Sequence, residues 1–208
     1  METPISASIP DLSREEPRRL WDPPRRLLRS LRRYQACRER RGLLAAGIRY
    51  ASVLEHRFWS VVTGADIPLN CHLGDGLLLL HANGIVIHPD ARVGPNCLIL
   101  QQVTLTEGVR LGGHVDIGAG AKIIRPVSIG DHASVGANAV VLTDVPEGAT
   151  AVGVPSHVVA SSNAQPSARA VRSIETRRGA EEVGWKATEG QRGREEERGG
   201  PARSVRRG

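Results

Sequence analysis

A chain of 208 residues has room for one core domain with appendages, and a formal charge of +6 invites a search for a basic binding platform. The charge is segregated: residues 1–60 carry 13 Lys/Arg against 7 Asp/Glu and residues 161–208 carry 11 against 7, but residues 61–160 carry only 4 against 8. The mildly acidic middle argues against a nucleic-acid platform, and the longest fully apolar run, Leu77 to Leu80, is far too short to span a bilayer. No charge-flanked apolar segment of signal-peptide length opens the chain, so a cytoplasmic location is the default expectation.

Residues 1–17 are expected to be a disordered N-terminus. Over 18–60 the pattern is helical: Leu20, Leu27, Leu31 and Tyr34 share one face, Gly42 interrupts, and Ile48, Ala51, Leu54 and Phe58 resume it. Arg-rich helices of this kind are most simply solvated faces beside a core. From Ser161 to Gly208, Ser, Arg, Glu and Gly dominate, and so little apolar content predicts a disordered tail.

Between them, residues 61–160 repeat a six-residue phrase. From Ile87 the first positions read Ile87, Val93, Ile99, Leu105, Leu111, Ile117, Ile123, Ile129, Val135 and Val141, and the fifth positions are all small, Cys or Val. Ten such positions in register arise by chance about once in 10⁶ frames. A period of six matches neither the 3.6 of a helix nor the 2 of a long strand, but suits a short strand plus a corner, the unit of a parallel β-helix. If three hexads close one coil, residues eighteen apart stack at about 4.8 Å, and every such column here is aliphatic. An upstream run, Ile67, Leu73, Leu79 and Ile85, is two residues out of phase; the slip falls just after His81, Asn83 and Gly84.

The fold expected is therefore mainly β, a parallel β-helix over 61–160 behind a short helical region. Cys37, Cys71 and Cys97 lack metal-type spacing and read as reduced thiols. His114 and His132, eighteen apart, should stack above Asn96 as an exposed Asn/His ladder; no metal is expected there.

The phrases GADIPLNCHLGDGLLLLHANGIVI, LILQQVTL, IGAGAKII and VGANAVVLTDVPEGATAVGVPSHVV, within Asp66 to Val159 and its flank, resemble the bacterial serine acetyltransferases, a branch of the hexapeptide-repeat acyltransferases. The resemblance implies a left-handed coil, an exception to the usual right-handed crossover, and acetyl-CoA as co-substrate held between the subunits of a homotrimer. Pairing of two trimers stays open. It also implies a catalytic pair, His81 as general base and Asp66 fifteen residues before it, acting on the hydroxyl of a small-molecule acceptor. The chemistry is sound: an alcohol is a poor nucleophile near pH 7, and a positioned imidazole contributes about 10²–10⁴-fold. For CoA the matching positions are Ala119, Ala137, Thr143 and His157, the last replacing the family's usual Arg or Lys.

Three features depart from the family pattern, one being a helical N-terminal region much shorter than in the longer members. The hexads at Leu105 and Leu111 are continuous, so the loop that usually brings a second His is missing, and the Asp that usually precedes the first His is Leu80. L-Serine O-acetylation in cysteine biosynthesis is the leading expectation; a sugar or polysaccharide hydroxyl as acceptor, or a non-catalytic scaffold, are the alternatives.

Overall fold

The structure, a computed structural model, describes residues 5–159. The tail expected over 161–208 lies outside the described residues. Helix α1 (Pro23–Cys37) opens on Pro23 and Pro24, whose fixed φ suits a first helical turn, so it starts later than the apolar pattern alone suggests. Leu27, Leu28 and Leu31 bury its inner face, while Leu20, assigned to that face, stays outside the helix and exposed.

Helix α2 (Leu43–Thr63) ends on Gly64, whose left-handed backbone (φ +67°) lets its N–H reach the Ser60 carbonyl at 2.8 Å. Its orientation differs from the expectation. Leu54 and Phe58 are half exposed and Ala51 is exposed, whereas Ala45, Ser52, His56 and Trp59 point inward. A polar chain fixes this choice: Ser30 meets His56 Nδ1 at 3.1 Å, and His56 Nε2 meets the Ile67 carbonyl at 2.9 Å. A buried imidazole with both nitrogens partnered outweighs a better apolar stripe, because losing either bond strands a buried polar atom.

The remainder is a triangular solenoid of two- and three-residue strands, a parallel β-helix of the left-handed hexapeptide type. Face one stacks β1 (His72–Leu73), β4 (Arg92–Val93), β7 (Arg110–Leu111) and β10 (Ser128–Ile129). Face two stacks β2 (Leu78–Leu79), β5 (Leu98–Ile99), β8 (Asp116–Ile117), β11 (Ser134–Val135) and β13 (Thr150–Val152), closed by antiparallel β14 (His157–Val159). Face three stacks β3 (Val86–Ile87), β6 (Thr104–Leu105), β9 (Lys122–Ile123) and β12 (Val140–Val141). Ile87, Leu105, Ile123 and Val141 form one buried inner column, as the hexad frame requires.

Coil length is not uniform. Pairs such as Val86↔Thr104 are eighteen residues apart, but Leu78↔Leu98 are twenty apart and Ser134↔Thr150 sixteen. The extra pair of the first coil is localised by its hydrogen bonds. Leu80 N–H still donates to Ile99, nineteen residues on, while the Gln102 N–H to Asn83 carbonyl bond already follows the eighteen-residue frame. The two inserted residues are therefore His81 and Ala82 themselves, not residues after Gly84. The last coil is shortened beside Thr143, since Val140↔Lys122 keeps eighteen and Ile129↔Val145 has sixteen.

Residues 5–17, expected to be disordered, hold a defined course instead, with a 3₁₀ turn at Leu12–Arg14. The reason is polar rather than hydrophobic. Asn96 Oδ1 accepts the Asp11 N–H at 2.8 Å, its Nδ2 donates to the Ser6 and Ile9 carbonyls at 2.7 Å each, and the Arg14 guanidinium donates to the Asn96 carbonyl. Glu15 continues the seam, accepting from Leu77 N–H and pairing with Arg32 at 2.8 Å. Asn96 is accordingly 0 % exposed, which corrects the expectation of an exposed ladder at that position.

Candidate active site

The corner between faces two and three collects most of the residues singled out from the sequence. Gly84, Gln102, Gly120 and Asn138, eighteen apart, all turn this corner with positive φ, and the inserted His81 (φ +53°) adds a second left-handed residue below them. The insertion pushes the chain out at one point of a regular edge, and the side chain carried there is an exposed imidazole. Non-glycine residues turn several corners of this solenoid with positive φ, so it is the insertion rather than the backbone conformation that sets His81 apart.

Asp66 lies on the chain entering the first coil and bridges in parallel to Val86, with Asp66 N–H donating to Ile85 at 2.8 Å and Ile87 N–H donating to Asp66 at 3.0 Å. The coil geometry thus sets Asp66 under the strand that follows His81, at the same end of face three. The Asn83 amide fills the space where Gly64 lacks a Cβ, tying the Gly64–Asp66 entry to this corner. Asp66 and His81 are both exposed, and no hydrogen bond joins them in the single chain.

The acyl-donor candidates divide between two edges. Ala119 and Ala137 stack on the His81 edge, where Asn138 N–H donates to the Ala119 carbonyl at 2.8 Å. The same edge ends at Gly153 (φ +97°), and His157 of β14 packs over that glycine. Thr143 stands on the next edge, between faces three and one, with all of face three in between. Ala137, Thr143 and His157 are exposed and Ala119 half-buried, so the strip is open and its small side chains leave backbone accessible to a long, thin ligand.

Lys122 was not singled out by the sequence reading. Its ammonium donates to the Gln102 carbonyl on the His81 edge, and it is the one lysine among the described residues. Its place in the GAGAK phrase was the available signal. The missing loop is confirmed as missing: β6 and β7 keep the frame, with Thr104↔Lys122 and Arg110↔Ser128 both eighteen apart. Leu80, 38 % exposed, occupies the position before His81.

The remaining candidates fall elsewhere. His114 and His132 stack on the corner between faces one and two, their Nδ1 atoms 2.9 Å apart, so one donates and the other accepts. Among the described residues no three His, Cys, Asp or Glu converge as a metal site, and no helix is long and apolar enough to cross a membrane. The three cysteines are buried and unpaired. Burial pushes the Cys71 thiol up to about 12 and the Cys97 thiol up to about 11, away from nucleophilic chemistry.

No family model matches the chain. It is 40% identical over 107 residues to the serine acetyltransferase of Synechococcus elongatus, a match covering 48% of this chain and 44% of that protein. Among solved structures, a serine acetyltransferase in complex with CoA aligns with a TM-score of 0.57 at 33% identity, covering 67% of this chain and 58% of that one. A soybean serine acetyltransferase complexed with serine aligns with a TM-score of 0.55 at 33% identity, covering 66% and 57%. The chain spans about half the length of the curated relatives it matches. The hexad frame, the His81 insertion and these alignments agree: over its β-helix the chain is similar to the serine acetyltransferases.

Proposed function

We propose that the protein is an acetyl-CoA-dependent O-acetyltransferase whose acceptor is L-serine. The observation that carries this reading is the two-residue insertion that places an imidazole, His81, on the edge shared with the small-residue strip of Ala119 and Ala137. Neutral His81 takes the proton of the acceptor hydroxyl as its oxygen attacks the thioester carbonyl. When the C–S bond breaks, the imidazolium returns that proton to the departing thiolate. Asp66 orients the ring and stabilises the imidazolium, the role a carboxylate has in a hydrolase triad. Acetyl-CoA supplies the activated acyl group; Ala119, Ala137, Thr143 and His157 hold it.

The division of those four residues between two edges supports a homotrimer. In a trimer of prisms the Thr143 edge of one copy can face the His81 edge of the next, and a ligand between copies can touch both sets. A cytoplasmic setting suits a soluble acceptor and three reduced, buried thiols. A sugar hydroxyl is the second reading, favoured by Leu80: an exposed leucine where an ammonium-binding carboxylate is usual suits an apolar or neutral acceptor better.

The test is CoA release from acetyl-CoA with L-serine and with a panel of sugars. Turnover with L-serine is expected; turnover with a sugar alone would replace the acceptor, and none with either would favour the scaffold reading. Light scattering should give three times the chain mass, and a monomer at micromolar concentration would leave Thr143 outside the donor site.

A further inference from the structure

Face one carries a column of cations that the acyl-transfer chemistry does not use. The strand register sets His72 against Arg92 and Arg92 against Arg110, each pair directly opposed on neighbouring parallel strands. Neighbouring strands lie about 4.8 Å apart, and like charges directly opposed are destabilising. Only four Lys/Arg occur in residues 61–160, yet two of them stack here. All three side chains are exposed, and among the described residues none has a hydrogen-bond or ion-pair partner.

At its His72 end the column borders a shallow, open concavity, which His72 and Arg92 line and Arg110 does not. Where the C-terminal end of α1 meets β1 and β4, a cavity of about 490 Å³ is lined by His72, Arg92, Arg38, Gln35 and Asn70, with Glu39 the one acidic residue among its walls. The carbonyls beside this concavity that would repel an anion have donors. At the end of α1 the Gln35 carbonyl accepts from Arg38 N–H and the Cys37 carbonyl from Arg49, and in the loop before β1 the Leu69 and Cys71 carbonyls accept from the Gln35 amide. Face one lies across the prism from the His81 edge, so this is a different place from the acyl-transfer site.

We infer that His72, Arg92 and Arg110, with the cavity beside them, form a binding site for an oxyanion of two or more negative charges, a pyrophosphate group or a polycarboxylate. Stacked guanidinium forks suit such a ligand because each can make two parallel N–H···O bonds, and a doubly charged group bridging them cancels the repulsion of the column.

The experiment is calorimetric titration of the full chain at low ionic strength with inorganic pyrophosphate, with citrate, and with chloride as a screening control. Saturable binding of pyrophosphate or citrate, but not chloride, is expected, and the tighter of the two identifies the ligand chemistry. R92Q/R110Q should weaken that binding by about tenfold or more, while Arg57→Gln, on an exposed turn of α2, leaves it unchanged. Arg110→Gln alone should raise the melting temperature in anion-free buffer and shrink the rise that pyrophosphate produces, a pattern a merely damaged fold cannot give. Equal binding by wild type and R92Q/R110Q would overturn the site, as would no saturable binding at millimolar ligand. A raised KM for acetyl-CoA in R92Q/R110Q would overturn its separateness and assign the column to the acyl donor. Loss of transferase activity in the wild type would bear on the proposed function without touching these titrations.

Discussion

Two edges of the same prism have been put to different uses. On the edge between faces two and three, His81, Asn83, Gln102, Ala137 and Asn138 stand exposed; on the edge between faces one and two, Asn96 is sealed under residues 6–11 and Gly113 is buried against Ala7. Both corners are turned by one left-handed residue per coil: Gly84, Gln102, Gly120 and Asn138 on one, eighteen apart, and Gly76, Asn96, His114 and His132 on the other, eighteen apart except across the twenty-residue first coil. The repeat therefore builds equivalent corners, and what differs is what covers them. An open edge with an inserted imidazole is available for chemistry, while a covered edge anchors the N-terminal segment.

The sharpest way to break this comparison is to remove a histidine from each edge. His81→Ala should lower turnover by roughly 10²-fold or more with little change in acetyl-CoA affinity, since no second His shares the proton transfer. His114→Ala should leave turnover within about twofold, because it lies on the other edge. Steady-state rates with L-serine decide the matter, and a fully active His81→Ala enzyme would move the base elsewhere.

The covered edge predicts a stability effect of comparable size. Asn96→Ala removes three hydrogen bonds from a side chain with no solvent exposure and should cost about 2 kcal/mol, lowering Tm by roughly 5 °C. Gly113→Ala is a finer probe, because a Cβ there collides with the Ala7 backbone and leaves Asn96 intact. It should detach residues 6–8 first, seen as earlier proteolysis within the N-terminal segment. An unchanged digestion pattern would mean that the segment is not held at Gly113.

On the open edge, Asp66→Asn should cost less than His81→Ala, about tenfold in turnover, if Asp66 only orients the ring and steadies the imidazolium. A loss equal to that of His81→Ala would make the pair a single unit. Leu80→Asp is the complementary test of acceptor choice: it should lower KM for L-serine and leave activity toward any neutral hydroxyl no better than before.

The difference between these edges also explains what the sequence could and could not disclose. The inner columns were legible because ten aliphatic residues at one spacing admit few other folds, and their burial follows. The phase slip was legible as a count, but its location was not: only the hydrogen bonds of Leu80 and Gln102 assign the extra residues to His81 and Ala82. The Asn96 clamp was invisible because it binds backbone, and any sequence over residues 6–11 without proline at position 11 presents the groups it uses. Helix α2 misled for a related reason. Its apolar stripe at Leu54 and Phe58 was the stronger pattern, yet the polar chain from Ser30 through His56 to Ile67 decided which side faces inward.

The smallest expected effect is a pH dependence that belongs to the covered edge. His114 has its pKa lowered from 6.5, first by burial beneath this edge and then by His132 and Arg14, with Asp116 opposing. A histidine that resists protonation when folded binds its proton more readily when unfolded, so its stabilising share is present above about pH 6.5 and is lost as pH falls below it. His56 is lowered in the same direction by burial between the helices, so both residues contribute to the loss in acid. His114→Gln should therefore flatten, not abolish, the fall in urea midpoint between pH 7 and pH 5, the remainder being due to His56. Asn96→Ala supplies the cross-check. If the N-terminal segment is what desolvates His114, freeing it should bring the His114 titration, followed by NMR, back toward 6.5. An unmoved titration would show that His132 and the coil itself, not the covering segment, hold the pKa down.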